Sequence, residues 1–352
     1  MKTADELIAW FEDLGRDVVD SAGGKGANLG ELIKAGIPVP SGFVVLTRAH
    51  ERFMAETGAA GDIAPYLARL PSEPKHQYEE ISGVIRGIIQ EKEMPGDIGD
   101  AVRREYEKLS GRPGMADLAV AVRSSGVAED AAFASFAGQF DTYLNVKGEK
   151  ELVRSIKKCW ASLFTAQAMS YRMEKGLPSD GGGISVCVQR MINARSAGIC
   201  FTIDPVTGNP TRMVIEGGWG MGEGVVQGIV SPDRYIVHKE TLELEAAIIG
   251  DKKIRIVLAE NGTRQEEVPL DERNGPCLTS EEVRRLAEWA KAVEAHFGAP
   301  QDIEWVVDRD SPCPENLFFV QTRPVTVLPE WKKPASKVAE SMVSLTRRIG
   351  RL

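Results

Sequence analysis

The sequence predicts an α+β chain, built as two domains or one multi-lobed enzyme, and three observations carry that expectation. Helical periodicity and β-branched apolar runs are interspersed along 352 residues, beyond the ~250–300 at which a single core stops growing. The 35 glycines cluster at 23–30, 181–183 and 217–228, which points to backbone–ligand contact and mobile loops. Residues 119–145 open as a β-branched strand that delivers Arg123, Ser124 and Ser125, then enter a small-residue loop, 131–138. A guanidinium fork beside approachable backbone N–H groups suits a polyanion; an ion pair of Arg123 with Glu129 or Asp130 is the alternative.

Composition narrows the class. The net charge of −8, from 43 basic and 51 acidic residues, argues against nonspecific nucleic-acid binding. No stretch approaches ~18 consecutive apolar residues, and the N-terminal segment reads as an amphipathic helix and not a signal peptide. A cytoplasmic protein with no membrane partner is therefore expected. Cys159, Cys187, Cys200, Cys277 and Cys313 show neither CxxC nor Cys/His spacing, so reduced thiols are expected in place of a disulfide framework or zinc site.

Taken in order, residues 5–14 read as a helix, and a second helix spans 27–35 before Pro38 and Pro40. Lys25 stands at its N-terminal edge, where free N–H groups and the helix dipole favour an anion; a glycine turn with a solvated lysine explains it equally. Residues 48–110 read as a charged helical insertion with breaks at 58–61, 71–74 and 95–96. Its stripe of Ile81, Ile85, Ile88 and Ile89 reads as core. Strands at 118–123 and 141–145 precede the longest expected helix, 151–175, which Gly176 caps. Arg172 on its last turn either reaches a phosphate or complements the helix C-terminus.

Strands at 184–191 and 197–204 follow, joined by a short turn. With Gln189 near the end of the first, they could line a nucleotide cleft whose hinge offers backbone groups to an adenine edge. The glycine-dense segment 216–228 reads as a flexible loop or lid, with a strand at 234–238 and a hairpin over 240–258 beyond it. Thr279 and Glu282 form a capping box for a helix to about Phe297. Of two last strands, 302–307 and 317–323, the second places Gln321 and Arg323 on one face. Glu304 lies inside an apolar strand and so needs a cation. Either a Glu/Gln/Arg cluster holds Mg²⁺ and clamps a phosphate, or Glu304 pairs with Arg323. The tail from Leu328 carries an amphipathic helix, 337–352, that packs back on the chain or docks on a partner.

Several stretches lie in order between residues 23 and 327: GGKGANLGEL, VPSGFVV, AVRSSGVAEDAAFASFAGQFDTYLNV, CWASLFTAQAMSYR, VQRM, GICFTIDPVTG, WGMGEGVVQG, DIEW and FVQTRPVT. In register, they resemble the nucleotide-binding part of the phosphoenolpyruvate synthase and pyruvate phosphate dikinase family. The resemblance implies an ATP-grasp fold, two α/β lobes (1–195 and 196–328) clasping ATP, with a linker and tail helix over 329–352. It places Lys25 and Arg123 on the ATP phosphates, Gly138 and Thr142 in the loop that grips them, and Gln189 near the adenine. Glu304 and Gln321 would hold Mg²⁺, with Arg323 beside them on the phosphates.

Full-length members of that family carry a swivelling domain with a phosphorylated histidine, followed by an acceptor domain. This sequence stops just after the nucleotide region, and His50, His76, His238 and His296 lack the Thr-x-His setting. The resemblance therefore implies the ATP-binding subunit of a split phosphotransferase, working with a histidine-bearing subunit in a hetero-oligomer. The β,γ-diphosphoryl group of ATP would pass to that histidine, leaving AMP, as in phenylphosphate synthase-type systems with an acceptor such as phenol. A split phosphoenolpyruvate synthase-like or antibiotic phosphotransferase system is the alternative. In a different class, an ATP-sensing module would bind nucleotide and transfer nothing.

Overall fold

The computed structural model describes residues 6–70, 77–111, 118–126 and 141–325. Gly138, Glu129, Asp130, His76 and the tail from residue 326 lie outside the described residues.

The chain starts with β1 (Ile8–Trp10) and α1 (Val19–Lys34). The first corrects an expectation: residues 8–10 are a strand and not helix. Ile8, Ala9 and Trp10 face Val45, Val44 and Phe43 of β2 (Gly42–Val45), and pairing with a buried strand outweighs a short amphipathic pattern. Next come α2 (Thr47–Glu56), α3 (Ala59–Arg69), α4 (Tyr78–Glu91) and α5 (Gly96–Ser110); α3 and α5 start at the breaks expected near 58 and 95, and the break expected at 71–74 lies outside the described residues. Ile81, Ile85 and Ile89 are buried and Ile88 packs against the same core. β3 (Val120–Gly126), β4 (Thr142–Val146), α6 (Glu149–Ala161), α7 (Ala166–Lys175) and β5 (Ile184–Arg190) complete this part. The single helix expected over 151–175 is two. Thr165 turns extended (φ −62°, ψ 148°) and its side chain accepts the N–H of Ala168, so a hydroxyl cap restarts the helix. The strands form a five-stranded antiparallel sheet, β1-β2-β5-β3-β4.

The second part runs through β6 (Ala194–Phe201), β7 (Arg212–Trp219), α8 (Glu223–Val226), β8 (Asp233–His238) and β9 (Leu244–Ile248). It continues with β10 (Ile254–Leu258), β11 (Thr263–Glu267), α9 (Leu270–Arg273), α10 (Ser280–Phe297), β12 (Gln301–Asp308) and β13 (Leu317–Pro324). Six of these strands form an antiparallel sheet, β13-β12-β6-β7-β8-β9, and β10 and β11 form a separate two-stranded sheet that touches the end of β7 through a Gly220–Ile256 bridge. The capping box of Thr279 and Glu282 is formed.

Two expectations fail here. Residues 216–228 are not a loop: they end β7 and form α8. The glycines serve close packing. A Cβ on Gly217 would lie 2.5 Å from the Trp305 ring, and one on Gly198 would lie 1.9 Å from the Glu216 carbonyl oxygen. Nor do residues 240–258 fold as a hairpin on themselves, because β9 joins β8 while β10 joins β11. The chain is pulled off the sheet edge between them by Lys252, which is fully buried and donates to Asp233 Oδ1 at 2.5 Å. That carboxylate also accepts the N–H groups of Gly250 and Cys277.

One core lies between the first sheet and α2–α7, centred on Phe43, Phe53, Ile85 and Trp160. A second combines Phe11, Leu14, Leu32 and Val44 with Cys200, Ile215, Leu286 and Trp305. The second core thus draws on both parts of the chain, and α1 contacts β13 as well as β3 and β5. All five cysteines are free thiols; Cys159, Cys187, Cys200 and Cys277 are buried as core residues. Among the described residues, no helix is long and apolar enough to cross a membrane.

Candidate nucleotide site

A cavity of about 660 Å³ opens where the two sheets face each other. Its wall includes Lys25, Arg123, Thr142, Gln189, Glu304, Gln321 and Arg323, contributed by α1 and strands of both sheets. Seven residues singled out from the sequence therefore share one cleft, and Gly138 lies outside the described residues.

Arg123 sits near the middle of β3, beside Thr142 of β4 and Cys187 of β5. Strand alternation buries Val122 and Ser124 and sends Arg123 to the other face. Its Nη2 donates to Glu304 Oε2 at 2.8 Å and to Gln321 Oε1 at 2.7 Å, and its Nη1 to the Val320 carbonyl at 3.1 Å. Glu304 and Gln321 are direct partners across β12 and β13, so their side chains share a face. The side-chain cation that Glu304 meets is thus Arg123, in place of the Glu304–Arg323 pair, the alternative to a metal cluster. Arg323 instead lies opposite Asp302 and donates to its Oδ2 from Nε at 2.9 Å and from Nη2 at 2.8 Å. Burial raises the Asp302 carboxyl above the usual range, and Arg323 opposes that rise. Asp302 was not singled out from the sequence, although it stands two residues before Glu304 and so on the same strand face.

Lys25 follows a break in α1. Gly23 has φ +67°, and a Cβ there would lie 2.2 Å from Ser125 Oγ, so only glycine fits without strain. The helix restarts beyond it, with Lys25 in its first turn. The Lys25 N–H donates to Ser125 Oγ at 3.0 Å and its Nζ to the Ser124 carbonyl at 2.8 Å. Ser124 and Ser125 are themselves buried. Their hydroxyls fasten the site from behind, Ser124 Oγ donating to the Asp141 carbonyl at 2.9 Å.

The far end of the cleft is more apolar. β5 passes into β6 through a three-residue link, and Met191, Ile192, Ala197, Gly198, Met221 and Val306 line the wall there beside buried Gln189. A flat heteroaromatic group could be covered on its faces and read at its edge by main-chain groups. Arg172 lines no part of this cleft. It is buried over the Phe164 ring, 5.8 Å from its centroid, and burial lowers its guanidinium to about 10, so the phosphate-contact alternative fails. None of the described histidines lines the cleft either. His50 packs against Trp160, His238 meets Thr241, and His296 Nε2 lies 2.6 Å from Glu31 Oε2.

Glu304 and Gln321 also fit a divalent cation. A carboxylate oxygen and an amide oxygen converge on one positively charged nitrogen, and magnesium takes hard oxygen ligands, completing its shell with water and phosphate. Among the described residues, no cluster of three or more His, Cys, Asp or Glu side chains would hold a metal unaided. That is the usual economy of a site whose metal arrives with a phosphate.

Residues 19–343 match the family described as pyruvate phosphate dikinase, AMP/ATP-binding domain. The chain is 42% identical over 359 residues to a probable phosphoenolpyruvate synthase of Staphylothermus marinus, covering 95% of this chain and 43% of that protein. It is 41% identical over 355 residues to the phosphoenolpyruvate synthase of Aeropyrum pernix, covering 94% of this chain and 43% of that protein. The chain thus spans less than half the length of these curated relatives. A solved structure of a dinucleotide-forming acetyl-coenzyme A synthetase 1 from Korarchaeum cryptofilum is 13% identical. It covers 65% of this chain and 81% of that one at a TM-score of 0.31, too low to bear on the fold.

Proposed function

We infer, for a chain that belongs to the family of pyruvate phosphate dikinase AMP/ATP-binding domains, that the cleft binds Mg-ATP between two ATP-grasp lobes, residues 1–195 and 196–328. From there the β,γ-diphosphoryl group passes to a histidine on a partner subunit. The observation that carries this reading is the convergence of Lys25, Arg123, Arg323, Glu304 and Gln321 on one cavity whose other end is apolar. Three cations at one end counter the polyphosphate charge, and the apolar end suits the base. Thr142 and Gly138 belong to the segment that would grip the phosphates, and Gln189 to the adenine end.

In the proposed transfer, an imidazole nitrogen forms a bond to the β-phosphorus. The bond from that phosphorus to the oxygen it shares with the α-phosphorus breaks, and AMP leaves with that oxygen. Water then removes the terminal phosphate, and the acceptor takes the phosphoryl group that remains on the histidine. Magnesium, when bound, supplies charge neutralisation at the phosphates. The side chains of this chain supply orientation and fixed positive charge, which is most of what phosphoryl transfer asks of a protein. The acceptor histidine is assigned to a partner because none of the described histidines lines the cleft. Two acceptor classes follow: phenol, in a phenylphosphate synthase-like system, and pyruvate, in a phosphoenolpyruvate synthase-like one. The names of the relatives at 41–42% identity favour the second.

The test is incubation with β-labelled ATP and magnesium, with and without a histidine-bearing candidate partner. Acid-labile label on the partner's histidine, together with AMP, is expected. Label on this chain alone would overturn the partner assignment, and no turnover with a competent partner would favour the ATP-sensing module.

A further inference from the structure

We propose that Arg123 is the gatekeeper of the metal site: its guanidinium occupies the oxygen pair of Glu304 and Gln321, and a divalent cation enters when a polyphosphate draws it away. This rests on the nucleotide-binding reading above and adds an order of events to it.

The two oxygens aim at one nitrogen, Arg123 Nη2, at 2.8 and 2.7 Å. They cannot hold that nitrogen and a metal ion together, since two cations sharing the same ligands would repel strongly in a half-buried cleft. The side chains of Arg123 and Glu304 are only 13% and 24% exposed. Withdrawing Arg123 alone would leave Glu304 without its ion-pair partner, a costly state for a carboxylate shielded from water. Exchanging one cation for another avoids that cost. The phosphates provide both halves of the exchange, because they accept the guanidinium fork and bring the metal with them. The neighbouring carboxylates have partners of their own: Glu223 accepts from Gln227 Nε2 and Thr263 Oγ1. Asp302 is engaged by Arg323, and Asp141 accepts from Tyr143 Oη at 2.8 Å and pairs with Arg86.

Arg123 therefore has two successive partners, the metal ligands and then the phosphates. A residue serving only the phosphates would not restrain metal binding. One serving only as a structural clasp would not release metal ligands when removed.

The experiment is a Mn²⁺ titration of the whole chain, followed by the electron paramagnetic resonance signal of the free ion, without nucleotide. Arg123→Met is expected to bind Mn²⁺ at least about tenfold more tightly than wild type, the equivalent of one charge-assisted hydrogen bond. Adding Glu304→Gln to that variant is expected to remove the gain. Arg123→Lys, which keeps the charge and secures the test if the methionine variant does not fold, is expected to gain about threefold because it lacks the fork. Unchanged or weaker Mn²⁺ binding in the folded variants would overturn the gatekeeper role. Calorimetric titration of wild type with a non-hydrolysable ATP analogue and Mn²⁺ separates the two claims. Binding there with no gain in the variants sinks the gatekeeper alone, and no binding there sinks the nucleotide site itself.

Discussion

Arg123 joins the two sheets through three hydrogen bonds, two to side chains and one to the Val320 carbonyl. Arg123→Ala is expected to leave the fold intact and to lower phosphotransfer by about 10³-fold or more, the scale of a removed transition-state arginine. Transfer at the wild-type rate would take Arg123 out of the mechanism. His50 poses a different problem of charge. It lies against the Trp160 ring with both ring nitrogens unpartnered, and burial lowers its pKa from 6.5 to about 4. The unfolded chain takes up this proton first as pH falls, so the stability from neutral His50 is whole above about pH 6.5 and is lost on the way to pH 4. The loss is about 3 kcal/mol, and His50→Phe is expected to flatten that part of the profile in urea denaturation between pH 7 and pH 4. An equally steep profile in the variant would absolve the histidine.

Strands and helices show which local signals are strong and which are overruled. Caps and breakers read true where they fall on described residues: Thr279 with Glu282, Gly176, and the starts of α3 after Gly58 and α5 after Pro95. Glycine density misled. In 216–228 it signals a main chain pressed against Trp305 and β6, and a composition rule cannot tell that from a mobile loop, because both need a missing Cβ. Substitution separates the two meanings. Gly198→Ala drives a Cβ toward a carbonyl oxygen that cannot move freely and is expected to cost about 3 kcal/mol. Gly83, exposed in α4 with open space around its absent Cβ, is expected to gain up to about 1 kcal/mol as alanine. Denaturant midpoints moving the same way for both would reject this account.

At the scale of the whole molecule, the sequence revealed the members of the cleft better than their pairing. Alternation along 317–323 puts Gln321 and Arg323 on one face, and the register of β12 with β13 sets them opposite Glu304 and Asp302. Alternation cannot say which arginine reaches Glu304, because Arg123 lies 181 residues away and arrives only through the packing of one sheet against the other. The pairing 240–258 with itself failed for the same reason: the decisive contact, Lys252 with Asp233, is buried and joins segments that local periodicity treats apart. Ligand binding across such a cleft stabilises the whole fold by mass action. A non-hydrolysable ATP analogue with magnesium at 100 times its dissociation constant is expected to add about 2.7 kcal/mol to unfolding. A thermal midpoint indifferent to the analogue would argue against the site.

Helix α1 and the second core bear on how the chain can be divided. Residues from β1, α1 and β2 complete the hydrophobic surface beneath the six-stranded sheet, so the segment after the 191–193 link lacks part of its interior when made alone. Cutting the chain at that link should give two polypeptides that aggregate or stay unfolded separately. Co-expressed, they should reassemble into one particle, with nucleotide binding weakened because Met191 and Ile192 of the link line the cleft. For protein engineering, the seam between the sheets is thus a place to split the gene and a poor place to trim it.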